Sequence, residues 1–187
     1  HPRTLLAGLS ERGGEGAERF VTELAWREFY ADVLHHHPTS LTADLRPALS
    51  SMDYETDETL LTAWQQGRTG YPFVDAGMRQ LLATGWMHNR VRMVTASFLT
   101  KDLHMWWPAG AEWFLQHLID GDRASNAHGW QWVAGTGTDA SPYFRVFNPV
   151  SQGLRFDPEG DYVRRWVPEL AHLPGPSVHE PWTSAVG

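Results

Sequence analysis

The sequence predicts an all-α fold, and three observations predict it. Apolar residues recur at intervals of three and four through most of the chain. Gly, Pro and Asp fall at the ends of those periodic runs, where helices start and stop. No stretch keeps the alternation of a half-buried strand, and no internal repeat divides the chain. The 187 residues are enough for one sizeable core, and nothing in them demands a second domain.

The elements follow in order. A short helix is expected around Thr4 to Leu9, before a Gly-rich loop at Gly13-Gly14-Glu15-Gly16. From Ala17 a long amphipathic helix carries Phe20, Leu24, Phe29 and Val33 at helical spacing until Pro38 stops it. Residues 39 to 57 read as loop, with Pro47 inside. Asp57 can cap a helix from Glu58 to Gln66, which Gly67 ends. After the turn Gly70-Tyr71-Pro72, Val74 to Ala83 has helical spacing and stops at Gly85. Another helix is expected from His88 to Leu103, and a short one, after Pro108, from Ala111 to Ile119. Asp157-Pro158-Glu159 reads as cap and first turn of a helix through Trp166 that Pro168 ends. The remainder, with Pro174, Pro176 and Pro181, is expected to be an extended tail.

Composition narrows the function. No apolar run reaches the roughly 18 residues of a membrane span, so no membrane partner is expected. The opening His1-Pro2-Arg3 lacks an initiator Met and a signal peptide, and the expectation is a piece of something longer. Without cysteine there is no disulfide, iron–sulfur or thiolate zinc chemistry, which is compatible with a cytoplasmic setting. Fifteen Lys and Arg against 22 Asp and Glu give a formal charge of −7, which argues against a general nucleic-acid binder. Yet Arg79, Arg90, Arg92 and Lys101 follow one another with no acid between them, so a local basic surface is expected. His35, His36 and His37 diverge around a helix and have no carboxylate cluster at ligand spacing; no metal site is expected. The ten Trp are explained in the first instance by core packing.

The stretch from Leu118 to Pro149 is different. Asp120 and Asp122 flank Gly121 directly after an apolar run, so two carboxylates sit where a helix gives way to a tight turn. Acceptors fixed in that way suit the N–H and hydroxyl donors of a polar heterocycle with a sugar-like chain. Asn126 can donate or accept, Trp130 and Trp132 offer indoles for stacking or redox work, and Gly135 to Asp139 lets backbone approach a ligand closely. The stretch reads as a ligand cradle. Upstream, Glu23, Trp26, Arg27 and Tyr30 lie along one helix face, either as a salt-bridged surface pairing Glu23 with Arg27 or as a binding stripe. Asn89, Arg92, Met93 and Ala96 share one face of a later helix; Arg90, Val94 and Ser97 share another. Arg92 can thus approach Asp120 while Arg90 suits a phosphate, the ordinary alternative for each being an intramolecular ion pair.

IDGDRASNAHGWQW (119 to 132), TGTDASPYFRVFNP (136 to 149), ELAWREFY (23 to 30) and GYPFVDAGMRQLLATGWMHNRVRM (70 to 93) together resemble the DNA photolyase and cryptochrome family. The likeness is to the flavin-binding domain of bacterial class I cyclobutane pyrimidine dimer photolyases, and it covers nearly the whole chain. It implies a bent FAD, active when reduced, lined by Trp86, Asn89, Arg92, Asp120, Gly121, Asp122 and Asn126, with Asn126 near the ring nitrogen that changes protonation. It implies light-driven electron transfer to a dimer flipped out of DNA. Glu23, Trp26, Met93 and Trp132 would meet the dimer, with Arg27, Tyr30 and Asn89 on the same side. Arg90, Arg145 and Gln152 would contact the flipped nucleotide and its backbone. Trp130 and Trp107 match the first two members of a three-residue route that refills an oxidised flavin. Tyr54 stands third where Trp is usual, with Trp106 and Trp64 as alternatives.

The resemblance further implies a monomer acting on DNA that contains pyrimidine dimers. Residues 1 to 187 would form part of the flavin domain, without the α/β antenna domain and the Ser/Thr-rich phosphate loop that precede it in relatives, and no antenna pigment is indicated. Three rivals remain. A cryptochrome-like photoreceptor would share fold and flavin, but plant cryptochromes tend to have Asp, and animal ones Cys, where this chain has Asn126. A photolyase for the (6-4) photoproduct typically has His in place of Asn89. A plain helical interaction module would use its Trp for packing alone.

Overall fold

The computed structural model describes residues 2–49, 51–138 and 146–184. Among these the chain is all-α: helices and short turns, with no strand beyond one isolated bridge between Glu55 and Met105. The helices are α1 (Pro2–Arg12), α2 (Glu15–His36), α3 (Glu58–Gln65), α4 (Pro72–Thr84), α5 (Asn89–Ser97), α6 (Trp107–His117), α7 (Arg123–Ala134), α8 (Pro149–Phe156) and α9 (Asp161–Trp166).

Several local expectations hold. Pro38 follows the end of α2 closely. Asp57 caps α3 by accepting the Thr59 N–H at 2.7 Å. Gly85 ends α4 in the left-handed conformation, φ 68°, which a residue without Cβ adopts freely. His88 is the cap of α5 rather than its first residue, its Nδ1 accepting the Arg90 N–H at 3.1 Å. Beyond Ser97 the helix loosens into a π turn, Phe98–Asp102.

Other expectations are corrected. α6 begins at Trp107, four residues early, because Pro108 sits in its first turn, where a missing N–H costs nothing. α9 begins only at Asp161, after Gly160 at φ 75°, although the Asp157 carboxylate does reach forward to the Tyr162 and Val163 N–H groups. α8 is an element for which no sequence expectation was set; Asn148 caps it by accepting the Ser151 N–H at 2.9 Å. The C-terminal part is no extended tail. It winds through short 3-10 turns, Gly175–His179 and Pro181–Thr183, and buries Val178 and His179.

The core lies among α4, α5, α6 and α7, with Trp64 of α3 at its centre. α4 is buried without a break from Pro72 to Met78. α2 is the opposite case: its apolar spacing predicts a buried stripe, yet none of its residues is buried among the described residues, and Phe20 and Phe29 are exposed.

α7 is the hub. It falls inside the predicted cradle, where no helix was expected, and it packs on α2, α5 and α6. Its buried face mixes apolar Ala127, Trp130 and Val133 with polar His128 and Gln131. The polar pair is satisfied by the loop after α2. Gln131 Nε2 donates to the Ser40 carbonyl at 2.6 Å, Gln131 Oε1 accepts the Leu45 N–H at 2.8 Å, and His128 Nε2 lies 3.1 Å from Ser40 Oγ. Burial holds the His128 pKa below the ordinary histidine value.

Candidate functional site

The site grows from the N-terminus of α7. Asp122 is its cap, one carboxylate oxygen accepting the Ser125 N–H at 2.9 Å, so half of this predicted ligand group is engaged in holding the helix. Its other oxygen lies 3.9 Å from Arg27 Nε of α2. Asp122→Ala is expected to lower stability by about 1 kcal/mol while Asp122→Ser, which keeps an acceptor, stays near wild type; urea denaturation of both checks it.

Asp120 meets Arg92 as expected. Nη2 of Arg92 lies 3.0 and 2.9 Å from the two carboxylate oxygens, and its Nε donates to the Met87 carbonyl at 2.7 Å, so the guanidinium is fixed from two sides. Gly121 forms the turn between the acids, its N–H bonded to the Leu118 carbonyl at 3.3 Å. One turn into α7, Asn126 Nδ2 donates to the Ala111 carbonyl of α6 at 2.8 Å. That bond fixes the amide and leaves Oδ1 as an acceptor with no described donor.

Trp130, one turn further, is buried. Phe114 meets its ring edge-on at 5.0 Å and Trp64 at 6.0 Å, and its Nε1 has no hydrogen-bond partner among the described residues. The close approach of α6 depends on Gly110: a Cβ there would stand 2.2 Å from Trp130 Cη2 and 2.5 Å from Leu99 Cδ2. Trp107 is equally buried, and its Nε1 donates to Asp44 Oδ1 at 2.7 Å. Trp107 and Tyr54 line one cavity of about 150 Å³, with Lys101, His104 and Met105 around them. Burial raises the Tyr54 pKa, and the Asp44 carboxylate adds to the effect. Of the two alternatives to Tyr54, Trp106 is exposed with its ring edge-on to Trp107 at 6.5 Å. Trp64 is wholly buried, its Nε1 bonded to the Thr95 carbonyl. Tyr54 itself is half-buried.

The α2 stripe faces α7. Trp26 stacks on Tyr30 at 5.9 Å, and Tyr30 stacks on His128 at 5.3 Å with planes 1° apart. Of the two readings of the stripe, the Glu23–Arg27 pair does not form; Arg27 turns to Glu28 at 2.7 Å and towards Asp122, and Glu23 is exposed. Asn89 opens α5, Met93 is half-buried on it, and Trp86 is exposed just before it, edge-on to His88. Trp132 is half-buried and stacks on Phe147 at 6.4 Å. Gln152 of α8 keeps a buried Oε1 without a partner among the described residues. Arg145 and Asp139 lie outside the described residues.

The predicted basic surface is reduced, because acids distant in sequence reach two of its four members. Arg79 pairs with Glu169 at 2.7 Å, Arg92 with Asp120, and half-buried Lys101 donates to the Ala134 carbonyl at 2.7 Å, with burial lowering its pKa. Arg90 lies over the Phe156 ring at 4.8 Å, where Arg155 joins it at 5.2 Å. Asp44, His128 and Arg155 are the residues of interest that sequence reasoning missed. No local signal marks the first, whose partner is 63 positions away.

The geometry supplies fixed acceptors at one end of α7, buried indoles behind them and a half-open aromatic stack beside them, a set suited to holding a ring system and moving electrons. Residues 20–186 match the family described as the FAD binding domain of DNA photolyase. The deoxyribodipyrimidine photo-lyase of Escherichia coli (strain K12) is 54% identical over 173 residues, which cover 91% of this chain and 36% of that protein. A bacterial class III photolyase structure from Agrobacterium tumefaciens is similar with a TM-score of 0.89 and 48% identity, over 97% of this chain and 38% of that one. A cryptochrome structure from Synechocystis sp. PCC6803 is similar with a TM-score of 0.92 and 38% identity, over 99% of this chain and 39% of that one. The chain spans little more than a third of the length of these relatives.

Proposed function

The chain belongs to the family of the FAD-binding domain of DNA photolyase, and from that premise we propose that it is the flavin-holding, lesion-facing part of a deoxyribodipyrimidine photolyase. Such an enzyme is a carbon–carbon lyase that repairs cyclobutane pyrimidine dimers in DNA under light. The observation that carries the reading is the fixed Arg92–Asp120 pair just ahead of α7 together with Asn126 Oδ1, open as an acceptor, one turn into it. The residues fit the cofactor. Oδ1 suits a ring N–H, and the buried Trp130 N–H, without a partner, shares the α7 face one turn on. Trp86, Asn89, Arg92, Asp120, Gly121, Asp122 and Asn126 would hold FAD. When bound and reduced, FAD supplies the light-driven electron that opens the cyclobutane ring.

The chain's own residues do the rest. Arg92 holds the Asp120 carboxylate in place for hydroxyl and N–H donors. Trp26, braced by Tyr30 and His128, offers a rigid face to an extruded base, with Trp132 and Met93 on other walls. Arg90, held over Phe156, suits a phosphate, and Arg27, Arg145 and Gln152 complete the contacts around the flipped nucleotide. Glu23, exposed at the start of the stripe, forms a hydrogen bond to the dimer as charge develops on it. Trp130, Trp107 and Tyr54 carry electrons inward to refill an oxidised cofactor. The whole protein works as a cytoplasmic monomer on DNA; no helix among the described residues is long and apolar enough to cross a membrane.

The test is a spectrum and an assay. The protein should purify with bound flavin and remove dimers from DNA only when illuminated. A colourless preparation, or lesions untouched by light, would overturn the reading, and photoreduction without repair would mark a light sensor instead. Glu23→Ala should lower repair yield several-fold at unchanged flavin content; a parallel loss of both refutes the role given to Glu23.

A further inference from the structure

The proposed electron route runs past a carboxylate. Asp44 lies half-buried in the loop between α2 and α3, and its Oδ1 receives the Trp107 indole N–H at 2.7 Å. For the buried Trp107 indole a backbone carbonyl would serve as acceptor, as the Thr95 carbonyl does for Trp64. A carboxylate differs in being a base. Its position is fixed from α7, because Gln131 holds the Ser40 carbonyl on one flank and the Leu45 N–H on the other. The neighbouring cation, Lys101, donates to the Ala134 carbonyl. Tyr54 and His104 line the adjoining cavity, and Arg46 reaches to the Thr138 carbonyl.

We propose that Asp44 is the proton acceptor of oxidised Trp107, an assignment that rests on the electron route of the proposed function. When Trp107 gives an electron to the hole on Trp130, its indole becomes an acid of about carboxylic-acid strength. The Nε1–H bond breaks and an O–H bond forms on Asp44 Oδ1. Trp107 passes from radical cation to neutral radical, and Asp44 from carboxylate to neutral acid. The electron now sits inward, and the positive charge that would draw it back is gone. When an external thiol returns an electron to Trp107, the proton moves back to Nε1. Asp44 thereby prolongs charge separation at the middle of the route.

Asp44→Asn keeps an oxygen acceptor in place but removes the base. In the FAD-loaded protein after a light flash, the indole radical cation band should persist about tenfold longer in Asp44→Asn than in wild type, equal to roughly 1.4 kcal/mol on the deprotonation barrier. Asp44→Glu should restore part of the fast decay. Identical decays in wild type and Asp44→Asn would overturn the assignment. A second readout needs neither flavin nor light: the Trp107 Nε1–H proton resonance, identified by its loss in Trp107→Phe, should lie at low field and move upfield in Asp44→Asn. An unmoved resonance also overturns the proposal, since no charge-assisted bond would exist to carry the proton. Absence of any tryptophan radical in wild type would remove the electron route itself, and the assignment with it.

Discussion

Gly110→Ala is expected to lower stability by about 1–3 kcal/mol, the usual cost of inserting a methyl group into a packed core, and more if α6 cannot move away. The new Cβ would stand 2.2 Å from Trp130 Cη2, 2.7 Å from Trp130 Cζ3 and 2.5 Å from Leu99 Cδ2. None of the three is the loose end of a flexible chain: Trp130 is wedged between Phe114 and Trp64, and Leu99 is fully buried. Either α6 withdraws from α7 or the indole leaves its rotamer. Both displace Asn126, whose Nδ2 is anchored on Ala111, the next residue along α6. A marked drop in thermal midpoint together with reduced flavin retention is therefore expected. Wild-type stability in Gly110→Ala would mean that α6 and α7 are not in direct contact at this point.

Trp130→Phe should act on electron flow with little effect on binding. The substituted ring still fills most of the space against Phe114 and Trp64, and no hydrogen bond is lost, because Trp130 Nε1 has no described partner. Phenylalanine is far harder to oxidise than indole, so the first donor of the proposed route disappears. Photoreduction of the bound flavin should fall to background, while repair by protein reduced beforehand stays near wild type. Flash photolysis and a repair assay on the same preparation separate the two. Unchanged photoreduction would remove Trp130 from the route.

Caps and stops were legible because they act over three or four residues. Asp57 ahead of Thr59 and Gly85 after Thr84 both behave as their local chemistry requires. The Arg92–Asp120 pair was legible too, since the spacing put Arg92 on a different face from Arg90 and the motif supplied the acid. α7 was not legible as a helix, because its buried face carries His128 and Gln131 among the apolar residues and so shows no clean stripe. Conversely, Phe20 and Phe29 have the spacing of a core face and lie exposed. Periodicity reports which side of a helix is greasy and says nothing about what lies against it. The basic run from Arg79 to Lys101 misled for a related reason, since Glu169 and Asp120 reach it only through the fold.

The amide of Gln131 has one last implication. A single buried side chain grips two backbone points of an otherwise irregular connection, at Ser40 and Leu45, from the middle of the central helix. The connection and the helix are accordingly expected to loosen together on unfolding. That coupling would hold Trp107 and its carboxylate in register along the proposed electron path.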